Sequence, residues 1–229
     1  MAFADWVVQD DNTFAASLNV STPIVGSGSY SSSSSGSLSD SAQITYLNSG
    51  SFAKGYTKGR LRSLFRRGAG YSDSQTADHF IGFFFMAEIE NFIASQGDYY
   101  FVGLRTEGGT TYRPRIVKAT NALARAVDTE GFLEYSASTI TYNIGDVLPM
   151  QVDWVLDQAQ LGGMRITLSL GNIGDLDYSN LTTIYDIIDG SPFTTSVNEG
   201  FFQYFDNATA GVPSTEYWAF DNTGVFQLV

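Results

Sequence analysis

The chain has 229 residues, enough for one large domain, with 43% hydrophobic and 14% aromatic residues to fill a core. Its 24 acidic residues against 12 basic ones leave a net charge of −12, which argues against nucleic acid as a partner, because phosphate contacts dominate that affinity. Cysteine is absent, so disulfides and thiolate chemistry are excluded and packing alone must hold the fold.

The opening "MAFADWVVQDD" has neither a basic nor an apolar leader region, so synthesis in a cytosol without a secretory signal is expected. Period-two alternation then recurs along the chain and predicts strands over 5–9, 14–20, 42–47, 59–66, 79–92, 99–106, 112–118, 122–127 and 131–136. Gly, Asn, Asp and Pro punctuate them at the spacing expected of sandwiches and barrels. Between the second and third lies the Ser/Gly-rich "GSGSYSSSSSGSLSDS" of 26–41, which reads either as a polar edge strand or as a flexible segment. The longest apolar run, "FIGFFFMA" at 80–87, is too short to cross a bilayer, so no membrane partner is expected.

The clearest element is a hairpin. In "LPMQVDWVLD", Met150, Val152, Trp154 and Leu156 point one way while Gln151, Asp153 and Asp157 point the other; in "MRITLSLGN", Ile166, Leu168 and Leu170 alternate with Arg165, Thr167 and Ser169. "NLTTIYDIID" at 180–189 reads as a short helix or as a strand. A final pair of strands is predicted over 200–206 and 216–228. Each carries an aromatic-rich phrase ending Phe-Asp-Asn, "FFQYFDN" and "YWAFDN", in which Asp and Asn leave the ladder through side-chain-to-backbone bonds and Gly224 turns the chain.

Candidate functional residues are few. Six of the 12 basic residues, Lys54, Lys58, Arg60, Arg62, Arg66 and Arg67, fall in "KGYTKGRLRSLFRR", and no acid occurs between Asp40 and Asp73. This strip reads as a charged strand edge that blocks unwanted pairing, or as a docking patch for an acidic surface. "GDLDYSN" puts Asp175, Asp177 and Asn180 on one loop, with oxygen ligands of the kind calcium prefers; calcium is the one cofactor the chain suggests. His79 is the single histidine and reads as a strand-start residue rather than a triad member. Most aromatics in a sandwich of this size are core, Trp154 among them, which leaves Trp6 and Trp218 near the chain ends for sugar stacking.

The hairpin "VDWVLD…GGMRITLSLGN", the closing "YWAFDNTGVFQLV" and the succession of short strands resemble the concanavalin A-like (LamG-like) jelly roll. The resemblance implies an all-β, antiparallel two-sheet sandwich, a single domain over 1–229, with few or no helices. Catalytic branches of that superfamily place three carboxylates on alternate positions of one strand. Here "MAEIENF" supplies Glu88 and Glu90 but then Phe92, so no catalytic residue is assigned and a glycoside hydrolase is the least favoured reading. Relatives often hold calcium at loop rims, in line with Asp175, Asp177 and Asn180. Similar domains serve widely in virions, so the leading expectation is a non-enzymatic structural module of a bacteriophage virion, in the capsid decoration or tail. It would dock through the basic strip onto another copy of itself or onto a capsid or tail protein. The alternative is a carbohydrate-binding, receptor-recognising module with a glycan as its partner.

Overall fold

The computed structural model describes residues 6–10, 14–19, 24–26, 29–34, 41–47, 55–68, 79–89, 93–123, 131–135, 138–205 and 216–228. Its strands in chain order are β1 (Trp6–Asp10), β2 (Phe14–Asn19), β3 (Ser29–Ser34), β4 (Ser41–Leu47), β5 (Lys58–Arg67), β6 (His79–Ala87), β7 (Gly97–Gly108) and β8 (Thr111–Ala122). They continue with β9 (Gly131–Tyr135), β10 (Ile140–Thr141), β11 (Val147–Asp157), β12 (Gly163–Leu170), β13 (Thr182–Asp189), β14 (Asn198–Phe205) and β15 (Glu216–Gln227). One four-residue helix, α1 (Gln158–Leu161), joins β11 to β12.

All pairings are antiparallel and sort into two sheets. Sheet A runs β1-β4-β14-β6-β7-β8-β10, with β9 also on β8; sheet B runs β13-β12-β11-β5-β15-β3-β2. The expected all-β two-sheet jelly roll is what the chain adopts. The hairpin forms in the predicted register, with Trp154 opposite Ile166 and Met150 opposite Leu170. Its turn is made by Asp157, whose side chain caps α1 by accepting from the Gln160 N–H, and by Gly162, at φ 67°, which ends it.

The two sheets bury one aromatic core between them. Leu61 and Phe65 of β5, Val152 and Trp154 of β11, and Phe220 of β15 meet Phe83 and Phe85 of β6, Val102 of β7 and Phe201 of β14. Trp154 stacks on Phe85 at 4.7 Å and donates its ring N–H to the Tyr56 carbonyl at 2.7 Å. Each such side chain contributes about 1.5–3 kcal/mol by leaving water. Sheet A has a second buried layer on its outer face, where Ile44, Phe80, Phe84, Phe101, Val117 and Phe202 pack together. Strand β6 is therefore buried at all nine positions, which explains why its sequence is a continuous apolar run rather than an alternation.

Several expectations are corrected. The two strands ending in Phe-Asp-Asn phrases lie in different sheets, β14 in sheet A and β15 in sheet B, and their Phe201 and Phe220 rings stack across the core at 5.3 Å. Nor does Asp221 end a strand. Strand β15 continues to Gln227 through a register shift between Asp221 and Gly224, and the Asp221 carboxylate accepts the Val25 N–H at 2.7 Å. Residues 182–189 form a strand, and the serine-rich 29–34 is an inner strand between β2 and β15. Strand β8 runs to Ala122, the first residue of the separate strand expected over 122–127, and 124–127 lie outside the described residues. Trp218 is buried, and Trp6 packs on Phe201 at 5.2 Å.

Candidate functional site

The basic strip becomes β5, in the middle of sheet B, and the strand's alternation divides it. Arg60, Arg62 and Arg66 lie on the outer face, each partly buried, and Lys58 is exposed; Lys54 lies outside the described residues. Arg60 sits opposite Asp153 and forms a two-point ion pair with it, 2.5 and 3.1 Å. The Arg62 guanidinium lies over the rings of Tyr178 (4.6 Å) and Phe226 (4.9 Å). Arg67 corrects the docking-strip expectation. It shares the inward face of Leu61 and Phe65, is fully buried, and donates to the Tyr142 carbonyl at 2.5 Å.

The acidic loop is closed by its own hydrogen bonds. Asp175 accepts from the side-chain amides of Asn172 (3.1 Å) and Asn180 (3.4 Å), and Asp177 accepts from the Ser179 N–H (2.9 Å) and hydroxyl (2.6 Å). Asn180 thus presents its amide nitrogen, not its oxygen, to Asp175. Among the described residues no group of three His, Asp or Glu side chains is placed to hold a metal ion. His79 opens β6 and is fully buried on the core side. Glu88 is exposed just beyond the end of β6, and Glu90 lies outside the described residues.

Glu88 nevertheless lines a pocket. A pocket of about 210 Å³ opens at one end of the sandwich between Glu88, Asp98 and the segment Pro192, Phe193, Thr194 and Thr195. The Glu88 N–H donates to the Asp98 carbonyl at 2.8 Å, extending the β6–β7 ladder one step and setting both acidic residues at the same sheet end. Asp98 also accepts the Asn121 N–H at 2.8 Å. The far wall lies in the connection from β13 in sheet B to β14 in sheet A.

That wall is fastened from below by charged groups. Asp189 accepts from the Tyr100 hydroxyl (2.5 Å), from Lys118 (2.8 Å) and from the Ser191 N–H (2.9 Å), while Lys118 also donates to the Ser191 carbonyl. The Phe193 N–H donates back to the Tyr100 oxygen at 3.2 Å, its ring packs 4.9 Å from that of Tyr100, and Lys118 lies 4.9 Å from the Phe193 ring. Burial pushes the Asp189 carboxyl up, but the hydrogen bonds from Lys118 and Tyr100 outweigh it and hold its pKa below the usual range. Burial and the bond to Asp189 push the Tyr100 hydroxyl far up, so it stays protonated as a donor.

The pocket is therefore lined by two acidic residues, two threonines and the Pro192–Phe193 pair. Carboxylates accept hydrogen bonds from adjacent hydroxyls, and an aromatic ring presents an apolar plane. Its volume lies below the roughly 300 Å³ at which drug-sized pockets begin, so it suits one small ring or the end of a longer ligand. Of the lining, the sequence reading singled out only Glu88. Asp98 and the "SPFTT" of 191–195 carry no motif; a Pro-Phe pair in a polar loop was the one available signal.

No family model matches the chain, and no curated protein does. Solved structures do match. The fold is similar to that of a cellulose-induced protein, Cip1, at TM-score 0.55 and 10% identity, over 100% of this chain and 94% of that one. It is also similar to a marine PL-14 alginate lyase from Aplysia kurodai, at TM-score 0.59 and 9% identity, over 96% and 90% of the two chains. The fold is the concanavalin A-like jelly-roll sandwich that the hairpin and closing strand resemble.

Proposed function

We propose that this protein is a carbohydrate-binding module whose sugar site is the pocket framed by Glu88, Asp98 and Pro192–Thr195. The observation that carries the reading is the meeting, in one small open pocket, of two acidic residues and two threonines with a segment held in place by the packing of Phe193 on Tyr100. The fold it shares with an alginate lyase and a cellulose-induced protein agrees with a role at polysaccharides. Docking through the basic strip has less support, since Arg60 is paired with Asp153, Arg62 is stacked on two rings and Arg67 is buried.

A glycan array spanning neutral and acidic polymers, read with the full chain, tests this. The wild type should retain at least one glycan, and Glu88→Gln and Thr194→Ala should each weaken it about tenfold, a loss of about 1.4 kcal/mol. Both side chains are exposed or lie in a loop, so the thermal midpoint should be unchanged. Retention of no glycan would overturn the proposal. The reading is one of binding without turnover: polymer length should stay constant on prolonged incubation, and shortening would replace the module with an enzyme.

A further inference from the structure

The outer face of sheet B carries cations that the pocket does not use. Lys58, Arg60 and Arg62 alternate onto that face along β5, and among the described residues only Arg60 meets a carboxylate, that of Asp153. Asp153 also takes the Gln151 amide, at 3.0 Å, and Asp221 of β15 accepts the Val25 N–H. Neither acid bonds Arg62. The N–H donors of Arg62 meet no acceptor among the described residues, and its Nε is buried without one.

The Arg62 side chain is nonetheless held in place. Its guanidinium lies over the Tyr178 ring, from the connection between β12 and β13, and over the Phe226 ring of β15, so three separate parts of the chain meet there. Ring contacts offset the positive charge but supply no oxygen to the N–H groups. Much of the rotamer freedom that an arginine loses on binding is already lost in this arrangement. A guanidinium fork takes a carboxylate by two parallel N–H···O bonds. Arg62 is only partly buried and Phe226 is 40% exposed, which puts an apolar ring beside the fork at the surface. A uronic acid joins the two matching features, a carboxylate on a ring whose C–H groups form an apolar face. Lys58 is exposed and lies four residues along the same face, about 13 Å away. A polymer with a carboxylate on every sugar therefore meets a second cation.

We infer that Arg62, with Phe226 beside it and Lys58 further along β5, forms a second glycan site that takes the carboxylate of a uronic acid in an acidic polysaccharide. The sugar part of this inference rests on the carbohydrate-binding reading above. Affinity electrophoresis of the full chain through a polyuronate, neutral dextran and polyglutamate tests it. The polyuronate should bind about tenfold tighter than either of the others, with the difference shrinking as salt is raised. Arg62→Ala should abolish that preference and leave binding of a neutral glycan at the pocket unchanged. Arg62→Lys, which keeps the charge but loses the fork, should restore only part of it. Lys58→Ala changes an exposed side chain and should weaken polyuronate binding about threefold, which keeps the test decisive if Arg62→Ala does not fold. Neutral and uronate polymers binding alike, or either alanine variant keeping the full preference, would overturn this site alone. Polyglutamate bound as tightly as the polyuronate would overturn the sugar ligand in favour of an acidic protein partner. Binding of no glycan by the wild type would overturn the carbohydrate reading itself.

Discussion

At the scale of the residue, His79 shows how position decides charge. It is fully buried beside Arg67; burial first, and the neighbouring positive charge second, lower its pKa well below the ordinary value. The folded protein therefore holds it neutral, while the unfolded chain protonates near pH 6.5. A depressed folded pKa contributes stability that is present above the unfolded pKa and is lost as pH falls below it. The unfolding free energy should drop between pH 7 and pH 5 with a slope from this group that approaches about 1.4 kcal/mol per pH unit below pH 6.5, and His79→Gln should remove that part of the slope. Equal slopes in the two proteins would refute the assignment. Counting by twos from Leu61 and Phe65 puts Arg67 on the core face, so its burial was legible, but grouping it with Arg66 by composition hid that.

At the scale of the element, legibility followed how many faces of a strand are buried. The β11–β12 hairpin, with one face in the core, alternates cleanly and was readable to the residue. Strand β13 is an edge strand with Ile184 and Ile188 exposed, and apolar residues on both faces let the same segment pass for a helix. Strand β6, buried on both faces, was readable as a strand but not as the floor of a second layer. Its Gly82 tells what the pattern alone does not. A Cβ there would meet the Val102 carbonyl oxygen and come within 2.6 Å of the Gly103 Cα, so the backbones of β6 and β7 approach too closely for any side chain. Gly82→Ala must push backbone apart and should cost about 1–3 kcal/mol, read as a lowered urea midpoint. Gly108→Ala, facing open space but at φ 112°, would be destabilising for the different reason of backbone strain.

At the scale of the whole molecule, the two sheets are joined by tyrosine hydroxyls as well as by the core. Tyr30 of sheet B donates to Gln43 of sheet A (2.8 Å), Tyr185 of sheet B to the Pro114 carbonyl of sheet A (2.7 Å), and Tyr100 of sheet A to Asp189 of sheet B (2.5 Å). The last two links pair residues 71 and 89 positions apart, so neither they nor the pocket wall that Tyr100 holds was legible in the chain. The Tyr100–Asp189 link differs from the others because it carries charge and because Phe193 leans on it. Hydrogen bonds to charged groups are worth about 1.5–3 kcal/mol, so Tyr100→Phe should lower stability by that order. Asp189 has a depressed folded pKa, so its contribution is present above the ordinary carboxylate pKa of about 3.9 and is lost as pH falls through the folded value. The stability gap between wild type and Tyr100→Phe should therefore persist at pH 7 and pH 5 and narrow only in stronger acid. Because the Phe193 N–H bonds the same hydroxyl, Tyr100→Phe should also weaken glycan binding although Tyr100 is not itself part of the pocket lining. A variant that lost stability but bound glycan as tightly as the wild type would show that the sandwich end holds its shape without this link, and would move the sugar site elsewhere on the molecule.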